Sequence, residues 1–139
     1  MLNAYTNTSQ SISAGNPIPF NTNRYRTCKC ISHSAGSSSI TLNCPGYYIV
    51  SFSGTATATT SGTDPIIVQL ANNGTAVPAG NASALSAAAN TPVSLSFTTA
   101  VKVLASCCAV DNTTVLSVLN NGIAADFTNV EIVVKKVCQ

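Results

Sequence analysis

Gly46-Tyr-Tyr-Ile-Val-Ser-Phe-Ser-Gly-Thr-Ala-Thr-Ala-Thr59 is the stretch on which the fold turns. Tyr48, Val50, Phe52, Ala56 and Ala58 fall on one side of an extended chain, and Ser51, Ser53, Thr55, Thr57 and Thr59 on the other. Successive side chains of a strand point to opposite faces, so an apolar face backed by a hydroxyl face describes a half-buried strand. Tyr47 and Ile49 break that pattern, because they make the outer face apolar at the start of the strand. Something must cover them.

Working outward, the same short-period alternation recurs between turn signals. Asp64-Pro65 is a turn, Ile66 to Ala71 is a strand, and Asn72-Asn73-Gly74 carries the Asn-Gly pair that favours the positive φ of a tight hairpin. The return strand runs through Val77-Pro78. The alanine-rich stretch from Ala79 to Ala89 reads as strand or loop rather than helix, since Asn81, Ser83 and Ser86 interrupt it and its neighbours are β. Val93, Leu95 and Phe97 alternate with Ser94, Ser96 and Thr98. Val101 to Ala105, Thr113 to Leu119 and Val130 to Val137 follow, and weaker strands fall near Pro17 to Phe20, Thr27 to His33 and Ser39 to Leu42. Eight to ten strands in a chain of this length predict an all-β protein, an antiparallel β-sandwich of the jelly-roll type. The last strand is apolar on both faces, with Ile132 and Val134 on one and Val133 and Val137 on the other. Together with Tyr47 and Ile49 it predicts a subunit interface, because a strand apolar on both faces must be covered on both.

The 139 residues fit one domain, residues 1–139, with residues 1–14 expected as a flexible attachment arm because they are polar and turn-rich. Apolar residues make up 45% of the chain, enough for a core, but no apolar run approaches the roughly 18 residues of a membrane span. Charged residues make up only 7%, against about 25% in an ordinary globular protein, so Ser, Thr and Asn must supply the polar surface. A neutral surface of that kind suits a chain that hides much of itself in a fixed assembly. The six cations, Arg24, Arg26, Lys29, Lys102, Lys135 and Lys136, are scattered and there is no Trp, which argues against a nucleic-acid partner. The first 20 residues have neither a cationic start nor an apolar stretch of the secretory type, so no signal peptide is expected in this chain.

Three segments, taken in order, resemble the tumour necrosis factor-like (complement globular-head-like) jelly roll. They are Ile40-Thr-Leu-Asn-Cys-Pro-Gly-Tyr-Tyr-Ile-Val-Ser-Phe52, Ile67-Val-Gln-Leu-Ala-Asn-Asn-Gly-Thr-Ala-Val-Pro-Ala-Gly80 and Thr128-Asn-Val-Glu-Ile-Val-Val-Lys-Lys-Val137. The resemblance is to the compact version in the C-terminal domains of bacterial collagen-like surface glycoproteins and in small phage fibre and structural proteins. It implies a homotrimer that packs around a threefold axis and binds through its outer surface or inter-subunit grooves. This chain has no Gly-X-Y stalk, so a collagen-tip role would require sequence beyond it.

Chemistry-bearing residues are few. The carboxylates are Asp64, Asp111, Asp126 and Glu131, most of them beside turn residues, and the one histidine, His33, sits between serines as a surface or strand-end residue would. Only a cleft gathering Asp126, Glu131 and His33 would revive an enzyme reading. No catalytic residue, cofactor or metal is therefore expected. Cys28, Cys30, Cys44, Cys107, Cys108 and Cys138 leave three readings open: buried free thiols, long-range disulfides or a metal site. The C-x-C and C-C spacings do not match zinc knuckles. Cys138 is the candidate for a disulfide to a neighbouring subunit.

The expectation is a trimeric structural or adhesion module, a phage virion component such as a head or tail fibre knob or decoration protein, working in the virion or at a cell surface. The alternative is a glycan- or receptor-binding tip domain of a bacterial surface protein. A secreted signalling ligand is a third reading, and it would call for a leader or anchor upstream. Partners would be other copies of the chain, further virion or surface proteins, and a host glycan or receptor. The expected trimer interface is Tyr47, Ile49, Val133 and Val137, and Tyr5, Tyr25 and Phe127 are the candidate ligand contacts because they lie outside the clear strands.

Overall fold

The alternation at 46–59 becomes the central strand of a sheet in the computed structural model, which describes residues 1–58, 64–85, 90–104 and 114–137. Among these residues there are eleven strands and no helix: β1 (Leu2–Thr6), β2 (Gln10–Ile12), β3 (Thr22–Arg26), β4 (Ile31–Ser32), β5 (Ile40–Leu42), β6 (Gly46–Ala58), β7 (Ile66–Asn72), β8 (Thr75–Ala84), β9 (Pro92–Val103), β10 (Thr114–Asn120) and β11 (Ala125–Val137). One sheet runs β3-β1-β11-β6-β9, with β2 also paired to β11, and the other runs β4-β5-β10-β7-β8. Every pairing is antiparallel. The two sheets form the sandwich expected from the sequence.

The inner side of β6 behaves as its alternation dictates: Tyr48, Val50, Phe52, Ala56 and Ala58 are buried, and they meet Ile132, Val134 and Phe127 of β11 and Leu95, Phe97 and Val101 of β9 on the same side of the sheet. From the second sheet come Leu42, Ile66, Val68, Leu70, Leu116 and Val118. Phe52 stacks on its cross-strand partner Phe97 at 5.5 Å between ring centroids and takes the edge of Phe20 at 6.4 Å. Full burial of each such side chain contributes about 1.5–3 kcal/mol.

The N-terminal segment departs from expectation. Residues 1–14 are no attachment arm: Leu2 and Ala4 are wholly buried, β1 lies between β3 and β11, and β2 continues the pairing along β11. The anchor is Asn120, a fully buried amide that donates to the carbonyls of Ile12 and Ile123, both at 2.9 Å, and accepts from the Gly122 N–H at 3.2 Å. Its own backbone bonds Gly15 and Asn16, and Pro17 forms a bridge with Leu119, so Ile18 and Phe20 are carried into the core without a strand at 17–20. These extra N-terminal strands take the count past ten.

Other boundaries shift for local reasons. The expected strands at Val93 and Val101 are one continuous β9, and the strand expected from Thr27 to His33 is split, with β3 before it and only Ile31–Ser32 forming β4. The Asn73-Gly74 turn has φ of 50° and 84°, the left-handed pair predicted for a tight hairpin between β7 and β8. β8 runs on to Ala84 because Gln69 of β7, itself buried, bridges an irregularity in the ladder; the two N–H groups of its Nε2 are shared among the carbonyls of Leu70, Val77 and Gly80, at 2.8, 3.0 and 3.2 Å. Residues 105–113 and 138–139, which include Cys107, Cys108, Asp111 and Cys138, lie outside the described residues.

β11 begins five residues earlier than expected and contains a bulge opposite Gly54. Thr128 pairs with Thr55 and Glu131 with Ser53, so Asn129 and Val130 share one partner position, and Asn129 takes φ of 54°. The extra residue shifts the alternation by one. Ala125 and Phe127 before the bulge and Val130, Ile132 and Val134 after it therefore all face the core. Val130 fills the space where Gly54 lacks a side chain: a Cβ there would stand 2.8 Å from Val130 Cγ1.

Candidate functional site

The outer side of the first sheet carries most of the residues singled out from the sequence. Reading across β11, β6 and β9, Val137, Tyr47 and Lys102 form one row; Lys135, Ile49 and Ala100 the next; and Val133, Ser51 and Thr98 a third, with Asn3 of β1 and Tyr25 of β3 continuing it. The row beyond holds Glu131, Ser53 and Ser96, with Tyr5 beside Glu131. All four expected interface residues thus share one surface. Tyr47, Ile49 and Val137 are 49%, 37% and 39% exposed, while Val133 is half-buried. Lys102 Nζ sits 5.3 Å from the Tyr47 ring centroid, so the apolar patch has a cationic margin at Lys102 and Lys135.

This face changes character along its length. The end with Tyr47, Ile49 and Val137 is apolar. The other end is polar and concave: Asn3, Tyr5, Asn7, Arg24, Asn129, Val130 and Glu131 line a cavity of about 380 Å³. Regular pairing is broken twice around it, once at the Asn129–Val130 bulge and once where the β1–β3 register slips between Asn3 and Ala4, leaving Arg24 as the extra residue on β3. Asn3 is buried at 7% exposure and its Nδ2 donates to Glu131 Oε1 at 2.6 Å, which holds the carboxylate in place. Asn3 Oδ1 is also buried and has no hydrogen-bond partner within the described chain. The Arg24 guanidinium lies 5.2 Å from the exposed Tyr25 ring centroid.

Of the three candidate ligand contacts, the structure places Tyr5 and Tyr25 on the same side of one sheet and buries the third. Tyr5 lines the cavity, and Tyr25 stands across from Asn3 at its margin. Phe127 cannot touch a ligand, because it is fully buried on β11 opposite Ala56. The bulge two residues later hid its phase from a simple alternation count. His33 is likewise no surface residue. It is buried, its Nδ1 meets Asn23 Oδ1, its Nε2 lies 2.8 Å from the Ser37 carbonyl, and Phe20 contacts its ring edge-on. Asp126 bonds Ser11 Oγ at 2.6 Å and Glu131 bonds Asn3, so Asp126, Glu131 and His33 each serve a separate set of partners. Among the described residues no group of three His, Cys, Asp or Glu side chains could hold a metal ion.

Two further features were not singled out from the sequence. Cys30 and Cys44 form a disulfide beside the β4–β5 pair, next to the Ile31–Leu42 register position. Cys28 has a free thiol in the turn before β4, where its sulfur accepts from the Cys30 N–H at 3.3 Å. The C-x-C spacing alone could not select Cys44 as partner, since only the pairing of β4 with β5 brings the two chains side by side. The second feature is the open side of the sandwich, where the edge strands β8 and β9 of opposite sheets flank a shallow groove that includes Asn72, Ala76, Val77, Pro78 and Lys102.

The strand order and the two-sheet sandwich define the class: the chain has the tumour necrosis factor-like jelly-roll fold. Similar solved structures include the Eiger TNF of S. frugiperda (TM-score 0.68, 11% identity, covering 99% of this chain and 93% of that one) and murine APRIL at pH 8.5 (0.62, 12%, 96% and 96%). The PRD1 vertex protein P5 also matches, at TM-score 0.53 and 17% identity over 99% of this chain and 96% of that one. At these identities the likeness is one of fold. No protein-family model and no curated protein matches the sequence. Among the described residues no helix is long and apolar enough to cross a membrane.

Proposed function

We propose that the chain is the subunit of a homotrimeric structural and binding module of a virion, a fibre knob or decoration protein rather than an enzyme. The observation that carries the reading is the apolar end of the outer sheet face. Tyr47, Ile49 and Val137 are exposed where a half-solvated antiparallel sheet should be polar, and they sit side by side on paired strands. Each is already more than half buried, so covering it with another copy returns a part of the roughly 1.5–3 kcal/mol that full burial of such a side chain is worth. The opposite half of such a contact is the β8–β9 edge, whose groove is lined by Ala76, Val77 and Pro78. Face against edge is a head-to-tail contact, which gives a closed trimer when the rotation from one copy to the next is a third of a turn. The virion assignment draws support from the fold shared with the PRD1 vertex protein and from a surface with only 7% charged residues in the chain.

Light scattering of the purified chain tests the trimer: a mass three times 14.2 kDa is expected. The double substitution Tyr47→Asp and Val137→Asp is expected to reduce that to one subunit while circular dichroism keeps its β signature. A monomeric wild type would refute the interface. Immunogold labelling of virions from the producing host tests the location.

A further inference from the structure

We propose that the polar cavity at the far end of the outer sheet face is a saccharide-binding site, taking a neutral mono- or disaccharide. The assignment rests on the binding-module reading above but not on its trimer, since the cavity is built within one subunit. Its volume of about 380 Å³ lies at the small end of ligand cavities, about 300–1,000 Å³. Its lining alternates the chemistry that a sugar presents. Glu131 only accepts, Arg24 only donates, and Asn7 and Asn129 do both, which suits vicinal hydroxyls that donate and accept in turn. Tyr5 adds an aromatic wall for the C–H face of a ring, and Tyr25 stands exposed across from Asn3 on the same side of the sheet.

Charge narrows the class. One guanidinium and one carboxylate line the same small cavity, so an anion meets Glu131 and a cation meets Arg24, whereas an uncharged polyol meets neither as a like charge. The site is also preorganised. Asn3 is buried and holds the Glu131 carboxylate at 2.6 Å, so part of the ordering cost is met before any ligand arrives. Asn3 Oδ1 is a buried acceptor without a partner in the described chain, and an entering hydroxyl is the kind of donor it lacks. Finally, two breaks in strand pairing converge here, and one sets Asn129 at a positive φ that points to a locally specified rim.

The test is an NMR titration of the isotope-labelled full chain with galactose, glucose, N-acetylglucosamine and lactose, with inorganic phosphate as the ionic control. Saturable shifts confined to β1, β3 and the Asn129 bulge are expected for at least one sugar, with phosphate inert. Glu131→Gln and Arg24→Ala, at positions outside the core, should each weaken that binding at least tenfold with the melting temperature unchanged. Silence to all four sugars, tighter binding of phosphate, or sugar binding that survives both substitutions overturns the proposal. Shifts at these residues that follow protein concentration without sugar would make a second copy the occupant and also overturn it. The light-scattering mass of the same samples reports the trimer separately, so a monomer that binds sugar refutes the trimer alone.

Discussion

Gly54 shows how one atom decides local structure. Val130 Cγ1 would be 2.8 Å from any Cβ at this position, opposite the bulge in the β6–β11 ladder. Gly54→Ala is therefore expected to cost about 1–3 kcal/mol, the usual range for overpacking, and to lower the thermal midpoint. Val130→Ala in the same background should recover part of the loss, because it removes the clashing methyl groups. Tyr48 is a second case. Its ring is wholly inside and its hydroxyl donates to the Cys44 carbonyl at 2.7 Å. Burial pushes its phenol above the ordinary value of 10.0, since the phenolate would lose its water. The unfolded chain ionises first, so this contribution to stability is complete below about pH 10 and falls away as pH rises through the raised native value. Urea titrations at about pH 8 and pH 11 should show a smaller alkaline loss in Tyr48→Phe than in the wild type.

At the scale of elements, the short strands depend on devices that alternation does not encode. β4 has two residues and β5 three, too few to hold by pairing alone, and the Cys30–Cys44 disulfide ties them. Reduction releases a closed loop of 14 residues in sequence, worth on the order of 3 kcal/mol in the chain-entropy account. Melting with and without reductant should show that loss, and Cys30→Ser with Cys44→Ser should reproduce it without reductant. β8 depends on Gln69 in a similar way, since one buried amide serves carbonyls on both sides of the ladder irregularity. Gln69→Leu leaves those carbonyls unpaired at about 1–3 kcal/mol, and amide exchange in β8 should quicken more than in β6.

The whole molecule presents two unlike surfaces on one sheet. Its apolar end carries the proposed contact with another copy, and its polar end carries the proposed ligand site. If assembly stabilises the fold, the thermal midpoint of the wild type should rise with protein concentration, and that of the Tyr47→Asp, Val137→Asp variant should not. Salt should change either midpoint little, because the chain has four carboxylates and six cations and the patch is chiefly apolar.

Alternation of apolar and hydroxyl residues was enough to specify the all-β class, the central strand β6 with its correct inner face and the placement of Tyr47, Ile49, Val133 and Val137 on one outer surface, and the Asn73-Gly74 pair specified its hairpin. Those are properties of neighbours in sequence, and a period of two carries them. The remaining features depend on residues far apart in the chain. The Asn129 bulge reversed the phase of β11 and sent Phe127 inward, and Asn120 pinned an N-terminal segment whose polar composition read as an arm. The β4–β5 pairing chose Cys44 for Cys30. Asn3 and Glu131, on opposite ends of the sequence, became one site because β1 lies against β11, and no local pattern records which strand will be a neighbour.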